Sequence, residues 1–145
     1  SVSNNVENLN LTGSGNISGT GNNSANIIRG NSGNNSLVGF GGTDILIGKA
    51  GNDVLIGGGD KDKLIGGSGE DFLTGGVGKD IFYLSANTGR DTITDFELKD
   101  KLKLTGGLTE NDLAINQAGH NVKIKYEGDL MAILQDTLIA DLNFI

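Results

Sequence analysis

From Gly21 to Tyr83 the chain repeats every nine residues without an insertion. Cut at the leading glycine, it reads GNNSANIIR, GNSGNNSLV, GFGGTDILI, GKAGNDVLI, GGGDKDKLI, GGSGEDFLT and GGVGKDIFY. The sixth place is Asn26, Asn35, Asp44, Asp53, Asp62, Asp71 and Asp80, and the eighth is Ile28, Leu37, Leu46, Leu55, Leu64, Leu73 and Phe82. A fixed short period marks a solenoid, because one unit buries too little to stand alone and must stack on its neighbours. The first six places hold the glycines and the carboxylate and form a turn. The last three, mostly β-branched or aliphatic, form a minimal strand with an inward-facing centre. Two units make a revolution of 18 residues. The strands then line up in two parallel sheets, coils stack at about 4.8 Å, and the eighth-place side chains meet between the sheets as the only core. The predicted class is all-β, a parallel β-roll.

The carboxylates follow the same arithmetic. Asp44, Asp62 and Asp80 stack along one edge, and Asp53 and Asp71 along the other. Like charges one strand spacing apart repel strongly. No Lys or Arg is interleaved at those places, so the columns call for a cation between them. With no Cys and one His in the chain, the ligands are oxygens: carboxylates and glycine-freed carbonyls. That donor set suits a hard ion, calcium before magnesium.

Composition removes other classes. The 145 residues suffice for about one domain. Without cysteine there is no disulfide framework, thiolate zinc site or Cys nucleophile. A formal charge of -7 argues against sequence-blind nucleic-acid binding. No apolar run is long enough to span a membrane. A start at Ser1 with no n-region or h-region reads as an excised module or mature segment. There is no GxSxG elbow, P-loop or dinucleotide fingerprint, and His120 falls in a turn, so the chain reads as non-catalytic. Lys123 and Lys125 read as a solvated strand face.

Glycine divides the chain, since 20 of the 25 glycines lie at or before residue 83. Residues 1–20 read as a lead-in strand or cap, 21–83 as the roll, and 84–145 as a capping segment. Within the last, Leu113–Gln117, Val122–Tyr126 and Met131–Leu134 alternate in polarity and predict an antiparallel meander that closes an exposed sheet edge. The outward places seven and nine carry apolar columns: Ile47, Ile65 and Tyr83 on one sheet, Val38 and Ile56 on the other. The expected covers are the C-terminal segment over one sheet and an upstream domain of the same polypeptide over the other.

GGSGEDFLT and GGVGKDIFY match the nonapeptide G-G-x-G-x-D-x-U-x in full, and three further units differ only in a glycine. VENLNLTGSGNISGTGN is similar to the opening of domains with that repeat, and GRDTITDFELKDKLKL to the segment that follows it. The terminal DLNFI resembles an uncleaved C-terminal signal of type I secreted proteins. On these motifs the chain resembles the RTX (repeats-in-toxin), hemolysin-type calcium-binding domains, the C-terminal rolls of serralysin-like proteins. The resemblance implies a right-handed β-roll, secretion to the extracellular space, a type I secretion apparatus as partner, a monomer, and roughly three to five calcium ions.

The resemblance also implies a ligand set. Carbonyls of places two and four and the Asp of one turn face carbonyls of places one and three and the Asp of the turn 18 residues on. Phe40, Gly42 and Asp44 would face Gly57, Gly59 and Asp62. Lys49, Gly51 and Asp53 would face Gly66, Ser68 and Asp71. Gly58, Asp60 and Asp62 would face Gly75, Val77 and Asp80. Gly67, Gly69 and Asp71 would find partners past the last repeat, Asp95 and Asp100 ahead of Asp91. Phe40 and Lys49 replace the second glycine, Asp60 the fourth, and Asn26 and Asn35 the sixth-place Asp. The Asn turns should therefore close mainly by hydrogen bonds, with at most one mixed site, Asn35 against Asp53. The expected function is a module that folds on calcium outside the cell, serving secretion and stabilisation of an upstream domain. Alternatives are a carbohydrate-binding accessory module, which needs an exposed basic or aromatic stripe, and an adhesin-type structural roll.

Overall fold

The structure, a computed structural model, describes residues 7–86 and 88–145. Eleven strands run through the repeats and just beyond: β1 Asn8–Asn10, β2 Ser18–Thr20, β3 Ile27–Arg29, β4 Ser36–Phe40, β5 Ile45–Ala50, β6 Val54–Gly59, β7 Lys63–Ser68, β8 Phe72–Val77, β9 Ile81–Leu84, β10 Asp91–Ile93 and β11 Lys101–Leu104. Odd strands form one parallel sheet in the order β1-β3-β5-β7-β9-β11; even strands form the other, β2 to β10. The chain is an all-β parallel solenoid of about five turns. No helix among the described residues is long and apolar enough to cross a membrane.

The eighth-place side chains Ile28, Leu37, Leu46, Leu55, Leu64, Leu73 and Phe82 are all 0% exposed, and Ile93 and Leu102 continue their two columns. Gly19 takes the equivalent place in β2, opposite Leu37, with the Leu9, Ile28 and Leu37 side chains 3.1–3.2 Å from where its Cβ would stand.

Three features depart from the expected design. The central strands are six residues long, not three. Ladder pairing runs on into the turns, as at Lys49 with Gly67 and Ala50 with Ser68. Stacked turns of identical conformation offer each other their own N–H and C=O groups, so the strand does not stop where the side-chain pattern does. The register also slips. Strands β2 to β9 pair at a spacing of 18, as in Lys63 with Ile81, whereas β1 pairs with β3 at 19, as in Leu9 with Ile28, and β10 and β11 pair at 20, as in Phe72 with Thr92 and Ile81 with Lys101.

The third departure is the C-terminal segment. Strands β12 Leu113–Ala118, β13 Asn121–Tyr126 and β14 Asp129–Leu134 form the antiparallel meander, but it does not lie over a sheet face. Instead β14 pairs in parallel with β10 and prolongs the even sheet to eight strands. The final residues do the same for the odd sheet: Leu102 N–H donates to the Asn143 carbonyl at 2.8 Å, and Ile145 N–H to that of Leu102 at 3.0 Å. Unpaired backbone groups at a sheet edge outweigh a half-exposed aliphatic column, so the edge is served first. Ile47, Ile65 and Tyr83 shield one another in register and are half-buried, while Phe72 on the other face is 51% exposed.

Candidate metal centre

Each sixth-place Asp points into the roll from the end of its turn. Asp44, Asp53, Asp62 and Asp80 are 0% exposed and Asp71 is 1% exposed. One oxygen of each is used along the column. Asp44 Oδ1 accepts the Asn26 N–H at 2.7 Å, Asp62 Oδ1 that of Asp44 at 2.8 Å, Asp80 Oδ1 that of Asp62 at 2.8 Å, and Asp100 Oδ1 that of Asp80 at 2.9 Å. On the other edge Asp53 Oδ1 accepts from Asn35 at 2.7 Å and Asp71 Oδ1 from Asp53 at 2.8 Å. The second oxygen, Oδ2, of Asp44, Asp53, Asp62, Asp71 and Asp80 is buried with no hydrogen-bond partner among the described residues. A buried unpaired oxygen costs about 1–3 kcal/mol, more when charged. Five such atoms line two columns, a donor set that fits a hard cation.

The backbone supplies the other half of a site. A Cβ built on Gly58 would collide with the Phe40 carbonyl oxygen, on Gly67 with that of Lys49, on Gly69 with that of Gly51, and on Gly78 with that of Asp60. Carbonyls of places two and four thus lie against the following turn. First-place carbonyls lie against the preceding one: a Cβ on Gly39 would meet the Gly57 oxygen at 2.6 Å, and on Gly57 the Gly75 oxygen at 2.7 Å. Oxygens from both sides converge between stacked turns beside the carboxylates. Phe40 and Lys49 keep the left-handed backbone of the glycines they replace, with φ of 86° and 85° against 117° at Gly58 and 113° at Gly67. Asp60 does likewise at 73°. Among the described residues no three acidic, His or Cys side chains converge, so an ion here must take much of its coordination from carbonyls, which suits calcium.

The Ser68 carbonyl accepts the Gly51 N–H at 3.0 Å and keeps a second lone pair. Asp95 and Asp100 do not meet the Asp71 turn. Asp95 accepts the N–H groups of Gly75 and Gly76 at 2.9 and 2.7 Å, and Asp100 continues the Asp80 column. Asp91 stands below Asp71 instead, accepting its N–H at 3.3 Å. The two-residue slip moves the columns from 62–80 to 80–100 and from 53–71 to 71–91, and an 18-residue count misses it.

The Asn turns are built differently. Asn22 N–H donates to Asn26 Oδ1 and Asn31 N–H to Asn35 Oδ1, both at 2.8 Å, while Asn35 Nδ2 donates to Asn31 Oδ1 at 3.0 Å. In these turns neutral amides supply the closing hydrogen bonds.

Burial dominates the titration of the carboxylates. It pushes Asp44, Asp53 and Asp80 up to about 6 and Asp62 to about 7, with neighbouring acids adding to the rise. Burial and then the Asp71 charge likewise hold Asp91 up. Folded carboxylates that bind protons more tightly than the unfolded chain, at about 4, favour the fold at low pH and lose that contribution as pH rises through 6 to 7. In calcium-free buffer the chain should therefore hold more β structure near about pH 4 than near about pH 8, read by far-UV circular dichroism. A β signal that grows with pH in chelator would contradict the burial of these groups.

Residues 20–55 and 56–93 match the family described as RTX calcium-binding nonapeptide repeat (4 copies). The chain belongs to this family. The RTX repeat roll is a structural, calcium-binding module. Among curated proteins none matches the sequence. The crystal structure of the extracellular lipase LipA from Serratia marcescens shares the β-solenoid fold with a TM-score of 0.53 at 15% identity, over 83% of this chain and 38% of the lipase. This RTX chain thus spans about two-fifths of the lipase's length. Solution structures of the AlgE6R2 and AlgE6R3 subunits of the Azotobacter vinelandii mannuronan C5-epimerase are 27% and 25% identical, over 90% and 99% of this chain and 91% and 86% of theirs. Their TM-scores are 0.38 and 0.35.

Proposed function

We propose that this RTX chain is a calcium-coupled folding module of a secreted protein. The observation that carries the reading is the set of five buried carboxylates, each with one oxygen lacking a partner among the described residues. Bound calcium would supply the positive charge these oxygens lack. Phe40, Gly42 and Asp44 with Gly57, Gly59 and Asp62 would hold one ion. Lys49, Gly51 and Asp53 with Gly66, Ser68 and Asp71, and Gly58, Asp60 and Asp62 with Gly75, Val77 and Asp80, would hold others. Gly67, Gly69 and Asp71 would complete their site with Asp91.

Without the ion, two columns of acids oppose collapse around a core one side chain deep, and the chain stays extended and acidic. That state suits passage through a type I exporter from a calcium-poor cytosol. Folding outside then opposes back-sliding and stabilises the domain upstream. Export of an Asp62→Asn, Asp71→Asn chain at the parental rate would remove this part.

Asp62 is the sharpest test of the site, since it serves the gaps towards both Asp44 and Asp80. Asp62→Asn should raise the calcium midpoint of binding about tenfold by calorimetry, because affinity follows ligand charge. An unchanged midpoint would take the sixth-place carboxylates out of the site.

A further inference from the structure

The two long edges of the roll differ in chemistry. Turns leading from the even sheet into the odd sheet carry Lys61, Lys79 and Lys99 at equivalent places, one coil or roughly 4.8 Å apart. With Lys101, Ile81 and Ile145 they line a groove. Lys99 pairs with Glu97 at 2.9 Å, and the other three make no ion pair among the described residues. The same edge raises the two most exposed large apolar side chains among the described residues, Val77 at 76% and Leu98 at 74%, together with Phe40. On the opposite edge the corresponding places are Asn16, Asn34, Asn52, Glu70 and Arg90. There each Asn side-chain oxygen accepts the N–H of the next coil, at 2.9, 2.9 and 3.0 Å, and Arg90 pairs with Glu70 at 3.0 Å.

Stacked lysines repel as stacked carboxylates do, and the fold accepts this on one edge only, beside aliphatic side chains that face solvent. We propose that this edge docks on an anionic membrane surface. Lys61, Lys79, Lys99 and Lys101 meet headgroup oxyanions, and Val77 and Leu98 enter the interfacial layer. Flexible ammonium groups suit mobile headgroups better than a planar guanidinium fork would, and basic charge next to projecting apolar groups is what holds peripheral proteins at a bilayer. A soluble polyanion would leave Val77 and Leu98 idle, and no aromatic ring lines the groove to stack a nucleic-acid base. Asp44, Asp62, Asp80 and Asp100 lie on the same edge, and its turns also carry exposed Asp60 and Glu97 and half-buried Asp95, so acids outnumber the four lysines there and docking needs their charge compensated. In this it rests on the calcium reading, and by linkage each ligand strengthens the other.

The test is cosedimentation of the full chain with phosphatidylcholine vesicles in which one lipid in three is phosphatidylserine, and with phosphatidylcholine alone. Each is run in calcium and in chelator, with circular dichroism on the same samples. Binding is expected to anionic vesicles in calcium, weakened on the order of a hundredfold by Lys61→Gln, Lys79→Gln, Lys99→Gln together and about tenfold by Val77→Ser, Leu98→Ser. Lys123→Gln, Lys125→Gln on β13 should change nothing. A triple lysine variant that is folded and binds like the parent overturns the proposal. So does vesicle binding indifferent to Val77→Ser, Leu98→Ser alongside equally tight binding of dextran sulfate, which would identify a soluble polyanion. A chain that folds with calcium and ignores vesicles sinks the docking edge alone. A chain folded and docked equally in chelator sinks the calcium dependence and leaves the edge standing.

Discussion

Titrated with calcium through the millimolar range, the isolated chain should pass from a coil spectrum to a β-sheet spectrum in one cooperative step, read by far-UV circular dichroism, and magnesium should not replace it. At ten times Kd an ion contributes about 1.4 kcal/mol per site. Four sites then contribute about 5–6 kcal/mol, the stability of a whole small domain. Without the ion the fold would lack that contribution and bury five carboxylate oxygens without partners among the described residues, so the ion is expected to decide whether the chain folds. Magnesium fails because it prefers octahedral water to an irregular cage of carbonyls. A chain already β-folded in chelator would reduce the carboxylate columns to decoration and shift the stability to the Asn turns and the C-terminal meander.

In saturating calcium, Leu64→Ala should cost about 3 kcal/mol by denaturant unfolding, within the range of about 2–5 for a buried leucine. Leu64 is 0% exposed and stacks in register between Leu46 and Phe82. The roll has a single row of side chains from each sheet, so nothing behind Leu64 can relax into the void. A loss of that size is more than half the calcium contribution, and the calcium midpoint of the variant should rise accordingly. Ile65→Ala, one residue on but facing outward and half-buried, should cost less than about 1 kcal/mol. Equal losses at the two positions would mean that the alternation of inner and outer faces is wrong.

The repeat alone determined most of the fold and half of the candidate site. With a period of nine, side chains at the eighth place can only meet inside and carboxylates at the sixth can only stack on edges, because an 18-residue coil brings identical places into register. The Asn turns were legible for the same reason: an amide can close a turn where a carboxylate repels its neighbour. What lay outside the period was decided by tertiary structure. Two extra residues after Leu84 shift the ladder from 18 to 20, which puts Asp91 rather than Asp95 or Asp100 beneath Asp71. Nothing local marks that slip, since it is set by which backbone groups find partners across the sheet. The same demand carried the C-terminal meander to the edge of the even sheet instead of its face. It also left lysines and aliphatic side chains together along one edge of the roll, a grouping of residues about 20 apart in sequence that only the stacking of coils brings side by side.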